Sequence, residues 1–343
     1  MSDFFGLDIG SYSLKAVELE KTGDRFRLLN FGSLNTPSGA SLSESDLDKK
    51  KLSEAIRQLI KEAHIRCRFV VTAFPESQIF SRVIELPKMT EEQLGKAIQY
   101  EAEQYIPMPI SEVRLSWQLI KEKDIDDSGK IKVFLTAAPK TLVDRYLNIL
   151  RGAGLEPLVF ETEILSVKRS VLEGLEAPTT LLVSIGASTT DLCIVNEGVI
   201  RFSRSIGTGG VALARSIAQE LGFEMTQAEE YKKSYGLLPD QLEGKIMQII
   251  KPVFDVIVSE IEKAILFYQT KNSLNPVRRV VLVGGSAMLP GMIVYLAENL
   301  GLEVQIGDPW VRVDASVEIK KELAYPENQA KFALAVGLAM RNT

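Results

Sequence analysis

The sequence predicts an α/β protein of two similar lobes that face each other across a cleft, with a small α+β subdomain inserted in the first lobe. Two observations favour this fold class. The opening segment LDIGSYSLKAVEL, residues 7–19, is typical of two strands around a Gly-Ser turn, and LLVSIGASTTDLCIV, residues 181–195, repeats that pattern. Between the repeats lies a stretch with a different order of elements, which indicates a separate subdomain.

Apolar periodicity predicts the elements of the first lobe up to residue 74 and of the inserted subdomain over residues 75–157. Strands are expected at residues 4–9, 13–20, 25–34 and 67–74, with a helix at 52–63 before the last of them. The inserted subdomain is expected to contain a strand at 79–86, a helix at 91–105, strands at 113–120 and 131–137, and a helix at 142–153. Its two later strands are joined by an acidic hairpin, KEKDIDDSGK.

The rest of the chain completes both lobes. A connecting helix is expected within residues 158–179, and the second lobe over residues 180–327, with a helical subdomain at about 222–278. Strands are predicted at 280–285 and 302–306. The apolar C-terminal helix at 328–343 is expected to pack back on the first lobe.

The composition excludes several classes of function. The net charge of -5 provides no field that attracts nucleic acid, so no nucleic acid partner is expected. The 2 cysteines are isolated, which argues against a disulfide framework or a zinc site and favours the cytoplasm. No run approaches the roughly 20 apolar residues of a membrane span, so direct membrane insertion is not expected.

Each hairpin turn offers backbone N–H groups that a phosphate can approach, because glycine and serine leave the turn open. Asp8 precedes the first turn and could hold a hydrated Mg²⁺, and Lys15 follows it as a cation for phosphate oxygens. A single turn of this kind is more often only a turn, so the prediction depends on the pair. The remaining candidate phosphate-binding residues are Gly10, Ser11, Ser13, Gly186, Ser188 and Thr189, with Asp191 at the strand start.

A third segment, VVLVGGSAMLPGM at residues 280–292, is a buried strand that ends in Gly284, Gly285 and Ser286 before a helix. Glycines at a strand end allow a flat ring to lie against the backbone, and a helix N-terminus favours nearby phosphate. An ordinary strand-to-helix turn explains this segment equally well when it is taken alone. Its position after two phosphate-type hairpins predicts a nucleotide cleft.

With these motifs in this order, the chain resembles the actin-like ATPase superfamily over almost its whole length. It is most similar to the PilM family of type IV pilus assembly, with the FtsA family of cell division next. Further matching segments are FETEILSVKRSVL, SIGTGG, QAEEYKKSYG and KFALAVGLAM. The position of the inserted subdomain favours PilM, and so does the end of the chain at MRNT, without the basic amphipathic tail usual in FtsA.

The resemblance implies that ATP or ADP with Mg²⁺ binds in the cleft. Asp8 would order the waters of Mg²⁺, Glu229 and Lys232 would contact ribose and adenine, and Gly207, Gly209 and Gly210 would lie near the nucleotide. Glu163 and Asp191 are the candidate catalytic residues, and Glu163 would position the attacking water. Ser184 stands where many relatives have aspartate, and its hydroxyl carries no charge to hold Mg²⁺. We therefore expect ATP to act as a structural ligand and switch, with slow or absent hydrolysis.

The resemblance also implies partners. The segment at residues 98–120 of the inserted subdomain is rich in aromatic and apolar residues beside prolines, which suits the binding of a peptide. PilM-like proteins hold the N-terminal cytoplasmic peptide of PilN, an inner-membrane protein, so a PilN-like partner and other pilus assembly proteins are expected. The protein would then lie at the cytoplasmic face of the inner membrane through that partner. Self-association stays open.

Three other interpretations remain. An FtsA-like protein would form filaments. A sugar or acetate kinase would need a catalytic acid between the phosphate motifs, where the acids cluster at Asp124, Asp126 and Asp127 in a turn-like hairpin. A nucleotide fold that has lost its ligand is the third interpretation, against which the intact Asp8 and Lys15 argue.

Overall fold

The computed structural model describes residues 3–120, 130–172 and 177–342, and most of the predicted acidic hairpin lies outside these ranges. The strands are β1 (Phe5–Ile9), β2 (Ser13–Thr22), β3 (Arg25–Asn35), β4 (Phe69–Phe74), β5 (Phe80–Pro87), β6 (Val113–Ile120), β7 (Lys130–Pro139), β8 (Glu156–Thr162), β9 (Thr180–Ile185), β10 (Thr190–Asn196), β11 (Val199–Ile206), β12 (Arg279–Val283), β13 (Glu303–Ile306) and β14 (Val313–Asp314). The helices are α1 (Asp46–Glu62), α2 (Glu91–Tyr105), α3 (Lys140–Gly152), α4 (Glu163–Val171), α5 (Gly210–Leu221), α6 (Met225–Tyr235), α7 (Lys245–Lys271), α8 (Met292–Leu300), α9 (Val317–Leu323), α10 (Pro326–Ala330) and α11 (Ala333–Ala339).

Each lobe is built on a sheet that begins with the same kind of hairpin. In the described ranges, the lobe 1 sheet has the order β14-β3-β2-β1-β4-β8 and the lobe 2 sheet has the order β11-β10-β9-β12-β13. The first hairpin pairs β1 with β2, and the second pairs β9 with β10, both antiparallel. A parallel strand then lies beside the first strand of each hairpin, β4 in lobe 1 and β12 in lobe 2. The predicted duplication is therefore present in the fold.

The inserted subdomain is a smaller antiparallel sheet in the order β5-β7-β6. The side chains of Leu94 and Ile98 on α2 pack with Val133 and Leu135 of β7 in a core of their own. The hydroxyl of Thr90 accepts a hydrogen bond from the Gln93 backbone and so caps α2. Helix α3 does not join this core, since its apolar face packs with α1 in the core of lobe 1.

The C-terminal helix α11 packs against β1 and against α4. Its approach to α4 is very close, because a β-carbon at Gly337 would overlap the backbone carbonyl of Ser166. An ion cluster fixes the same region: the buried carboxylate of Glu161 accepts hydrogen bonds from the guanidinium groups of Arg169 and Arg341. The end of the chain therefore holds α4, which carries Glu163, in place.

Sequence periodicity missed three described elements. Strand β8 was not predicted, and neither were β14 and α9. No helix in the described ranges is both long enough and apolar enough to cross a membrane.

Candidate functional site

A cleft of about 360 Å³ lies between the two hairpins. Residues of lobe 1, lobe 2 and the loop between α10 and α11 line it. The lining includes the residues predicted for phosphate, nucleoside and catalysis, namely Asp8, Gly10, Ser11, Ser13, Lys15, Glu163, Gly186, Ser188, Thr189, Asp191, Gly210, Glu229, Lys232, Gly284, Gly285 and Ser286.

In the first hairpin, Asp8 and Lys15 lie opposite each other on β1 and β2. Lys15 Nζ donates a hydrogen bond of 2.8 Å to Asp8 Oδ2, and both residues are buried. The Lys15 side chain also lies 3.4 Å from the carbonyl oxygen of Ser13 in the turn. This arrangement presents one held carboxylate and one ammonium group at the floor of the cleft.

In the second hairpin, Ser184 and Asp191 occupy the equivalent positions on β9 and β10. The hydroxyl of Ser205 on β11 donates a 2.5 Å hydrogen bond to Asp191 Oδ1, and Thr189 Oγ1 lies 3.5 Å from the other oxygen. Burial raises the pKa of Asp191 to about 6 despite these hydrogen bonds. The carboxylate of the second hairpin is thus present on its second strand instead of its first.

The turns of the two hairpins meet across the cleft. Ser11 Oγ lies 2.9 Å from Ser188 Oγ, which is a hydrogen bond between lobes. Backbone bonds from Gly210 and Val211 to the carbonyls of Gly186 and Ala187 hold the second turn against the start of α5. The turn residues are therefore placed to contact one ligand from two sides.

The opposite end of the cleft is lined by the residues that were expected to contact a nucleoside. Gly284 has a φ of 92°, and a β-carbon there would lie 2.5 Å from the carbonyl oxygen of Ile185. Lys232 on α6 is buried, and its Nζ donates to both carboxylate oxygens of Glu229 and to the carbonyl of Gly210. Burial lowers the pKa of Lys232, while Glu229 opposes that shift. Lys232 therefore bonds both to Glu229 and to the first residue of α5. Glu229 lines the cleft.

Three acids gather behind the phosphate end. Burial raises the pKa of Glu163 well above its usual range, and the charges of Asp191 and Asp8 add to the shift. Glu76, which lies outside the cleft lining, donates its backbone N–H to Glu163 Oε2 over 3.2 Å. Burial raises the pKa of Glu76 to about 7, with a smaller contribution from Asp191. Burial therefore favours the protonated form of these carboxyls as long as no cation or hydrogen-bond donor binds beside them.

Two predicted residues, Gly207 and Gly209, are not among the residues that line the cleft. A β-carbon at Gly209 would lie 2.7 Å from the carbonyl oxygen of Ala187, so this glycine packs against the second turn. Sequence reasoning assigned no cleft role to Ser33, Asn35, Lys233, Met288 and Lys331, which line the cleft. For Lys233, the sequence signal was its place beside Lys232 in QAEEYKKSYG.

The residues present fit a magnesium nucleotide better than a free metal ion. No group of three or more acidic, histidine or cysteine side chains in the described ranges forms a metal cage. Mg²⁺ usually keeps several waters and binds one or two carboxylates together with substrate phosphates. Asp8 would take that role, with its Oδ2 bonded to Lys15 and its Oδ1 beside Gly10 of the turn.

The chain is similar to known proteins over nearly its whole length. Residues 6–343 match the family described as type IV pilus assembly protein PilM. A solved structure described as a PilM-PilN type IV pilus biogenesis complex is similar with a TM-score of 0.85 and 29% identity, over 99% of this chain and 98% of that chain.

More distant relatives share the fold. FtsA of Enterococcus hirae is 22% identical over 89% of this chain and 78% of its own length. EutJ of Escherichia coli K12 is 27% identical over 43% of this chain, and the match spans only 46% of EutJ. The structure of MreB5 of Spiroplasma citri bound to ADP has a TM-score of 0.52 and 14% identity, over 97% of this chain and 94% of that chain. These similarities identify an actin-like fold of two lobes.

Proposed function

The chain belongs to the PilM family of type IV pilus assembly proteins, and on that premise we propose that it is an ATP-binding adaptor of the inner-membrane pilus assembly complex. In this proposal the cleft binds ATP or ADP with Mg²⁺. A second surface binds the N-terminal cytoplasmic tail of a PilN-like protein, which places the adaptor at the cytoplasmic face of the inner membrane.

The hydrogen bond between Ser11 and Ser188 is the observation that carries the nucleotide part. It brings two open turns together in the cleft that the Asp8–Lys15 pair also lines. Backbone N–H groups of both turns and one ammonium group form a site for a polyphosphate chain. The held carboxylate of Glu229 and the glycines after β12 extend the cleft by the space that a ribose and a flat base require. The described ADP complex of MreB5, which has the same fold, supports this choice of ligand.

When bound, Mg²⁺ would neutralise charge on the phosphates, and Asp8 would hold its water shell. Glu163 lines the phosphate end and could orient a water, but burial and the charges of Asp191 and Asp8 raise its pKa, which disfavours the carboxylate that would accept a proton. Asp191 is buried and carries two hydroxyl contacts. These features support a cleft that binds ATP as a structural ligand and hydrolyses it slowly.

The partner part of the proposal is supported by the described PilM-PilN complex, which is similar to this chain over 99% of its length. The inserted subdomain exposes Tyr100, Tyr105 and Leu119 on its surface, which suits contact with a peptide. Binding of a membrane protein's tail would place the adaptor at the membrane. Other pilus assembly proteins would bind it there.

The experiment is a calorimetric titration of the purified protein with the N-terminal cytoplasmic peptide of the PilN-like protein from the same host, with and without Mg-ATP. A peptide of the same composition in scrambled order is the control. Stoichiometric binding of the native peptide alone supports the adaptor function. Absence of binding in both states, with Mg-ATP still bound, contradicts it and favours an FtsA-like filament, which sedimentation of the protein with Mg-ATP would then detect.

A further inference from the structure

Glu76 joins the inserted subdomain to the cleft. It begins a short 3-10 turn, Glu76–Gln78, between β4 of lobe 1 and β5 of the inserted sheet. Glu76 is buried, with 6% of its surface exposed. No lysine or arginine among the described residues contributes to its pKa shift. A buried carboxyl without a cation is costly, so its hydrogen bonds define what the position does.

On one side Glu76 contacts the cleft. Its backbone N–H donates to Glu163 Oε2 over 3.2 Å. Glu163 is the first residue of α4, where the helix leaves backbone N–H groups without helical partners, and its side chain lines the cleft. The position of Glu76 therefore influences how the Glu163 carboxyl is oriented.

On the other side Glu76 contacts the inserted sheet. Ser81 on β5 donates its hydroxyl proton to Glu76 Oε1. The same hydroxyl lies 3.4 Å from Ser203 Oγ on β11 of lobe 2. Ser203 and Ser205 lie on one face of β11, because successive side chains of a strand alternate, and Ser205 donates to Asp191. Ser81 thus lies where both lobes and the inserted subdomain meet.

The second oxygen of Glu76, Oε2, is buried and makes no hydrogen bond of ordinary geometry in the described part of the chain, although the backbone N–H of Ile164 on α4 acts on this carboxyl and lowers its pKa. A buried polar atom without a hydrogen-bond partner is costly. A rearrangement that supplies a hydrogen-bond partner to Oε2 is therefore favoured. The unpartnered oxygen therefore favours a second arrangement of the contact between Glu76 and Ser81.

We propose that Glu76 and Ser81 are positioning residues that couple the inserted subdomain to Glu163. A ligand that contacts Glu163 in the cleft alters the hydrogen bond from the Glu76 backbone, and with it the bond from Ser81 and the setting of β5. By thermodynamic linkage, a partner that fixes β5 changes the affinity of the cleft for that ligand. The inference rests on the proposed function, since Mg-ATP is the ligand used to test it.

The test measures hydrogen exchange in β5 with and without Mg-ATP, while calorimetry measures Mg-ATP binding to the same samples. In the natural protein, Mg-ATP is expected to change the exchange rate of β5 amides by about fivefold or more. Ser81→Ala is expected to bind Mg-ATP but to lose this change, and Ser81→Thr, which keeps the hydroxyl, is expected to retain it. Ser116→Ala is the matched control, because Ser116 is exposed on β6 of the same sheet.

Two outcomes overturn the inference without touching the proposed function: Mg-ATP binds but leaves β5 exchange unchanged, or Ser81→Ala responds like the natural protein. Failure of the natural protein to bind Mg-ATP overturns the nucleotide function and the inference with it. Should Ser81→Ala not fold, Ser81→Cys provides the same test, since it keeps the size of the side chain and replaces the hydroxyl by a much weaker donor.

Discussion

Asp191 lies directly opposite Ser184 across the β9–β10 ladder, in the same register that places Lys15 opposite Asp8 in the first hairpin. The first hairpin therefore has a carboxylate on its first strand and a cation on its second. The second hairpin has a hydroxyl on its first strand and a carboxylate on its second. The charge that Ser184 lacks is supplied from the neighbouring strand, but in a buried site that raises the pKa of Asp191 to about 6.

This relationship predicts the effect of Ser184→Asp, which restores the usual Asp-Ile-Gly pattern of relatives. Two carboxylates would then face each other across the ladder, and directly opposed like charges destabilise a sheet. We expect the variant to lose about 1 kcal/mol or more of unfolding free energy near pH 8, and less near pH 5, where Asp191 is largely protonated. Denaturant unfolding with a chelator measures it, and Ser184→Asn is the uncharged control. An equal loss at both pH values would contradict the electrostatic explanation.

The site also predicts a slow rate of ATP hydrolysis. Burial, with the charges of Asp191 and Asp8, raises the pKa of Glu163 and so disfavours the carboxylate form that would take a proton from water. We expect steady-state phosphate release by the natural protein to be no faster than release by Lys15→Ala, whose cleft lacks the phosphate cation. Release well above that variant would show that the cleft is an active ATPase.

The pKa of Glu76 predicts a pH dependence of stability. The folded protein holds this proton up to about pH 7, whereas the unfolded chain releases it near 4.5. The folded state binds more protons in that interval, so stability falls as pH rises through it and then levels off, by about 3 kcal/mol from this group. Glu76→Gln carries no such proton. Its unfolding free energy relative to the natural protein should therefore improve by about that amount between pH 4 and pH 8.

Denaturant unfolding across this pH range tests the prediction. Glu85→Gln is the matched control, because Glu85 is an exposed glutamate on β5 that pairs with Lys130. A parallel pH profile for the natural protein and Glu76→Gln would refute the assigned pKa.

The surroundings of two helical glycines, Gly337 in α11 and Gly95 in α2, predict opposite effects when each is replaced by alanine. A β-carbon at Gly337 would overlap the Ser166 carbonyl, whereas a β-carbon at Gly95 in α2 meets no atom within 4 Å. We expect Gly337→Ala to lose several kcal/mol of stability, on the order of 3 or more. Gly95→Ala should gain up to about 1 kcal/mol, because alanine favours a helix. Thermal unfolding compares the two, and a tolerated Gly337→Ala would show that α11 packs elsewhere.

The sequence allowed prediction of features whose signals are local. Both hairpins, the helices of lobe 2 and the strand before Gly284 follow from periodicity and turn residues within a short window. The spacing of Glu229 and Lys232 also predicted a shared helix face, although burial of Lys232 depends on the packing of α5 and α6.

Features that depend on distant residues could not be predicted in this way. Strand β8 runs directly into α4, and it is held by parallel pairing with β4, where Phe69 pairs with Glu156 far along the chain. Glu76 was missed because its role arises only from contact with Glu163, 87 residues away. Helix α3 follows the inserted strands in sequence but packs on α1, because its buried face matches the lobe 1 core.

The most direct test of the account is a calorimetric titration of the natural protein and of Lys15→Ala with Mg-ATP. Lys263→Ala is the control, since Lys263 is an exposed lysine on α7, and thermal unfolding verifies that each variant is folded. The account predicts one site per chain, unchanged affinity for Lys263→Ala, and a loss of about tenfold or more for Lys15→Ala. Absence of binding to the natural protein, or equal affinity for Lys15→Ala, would contradict a nucleotide site between the two hairpins.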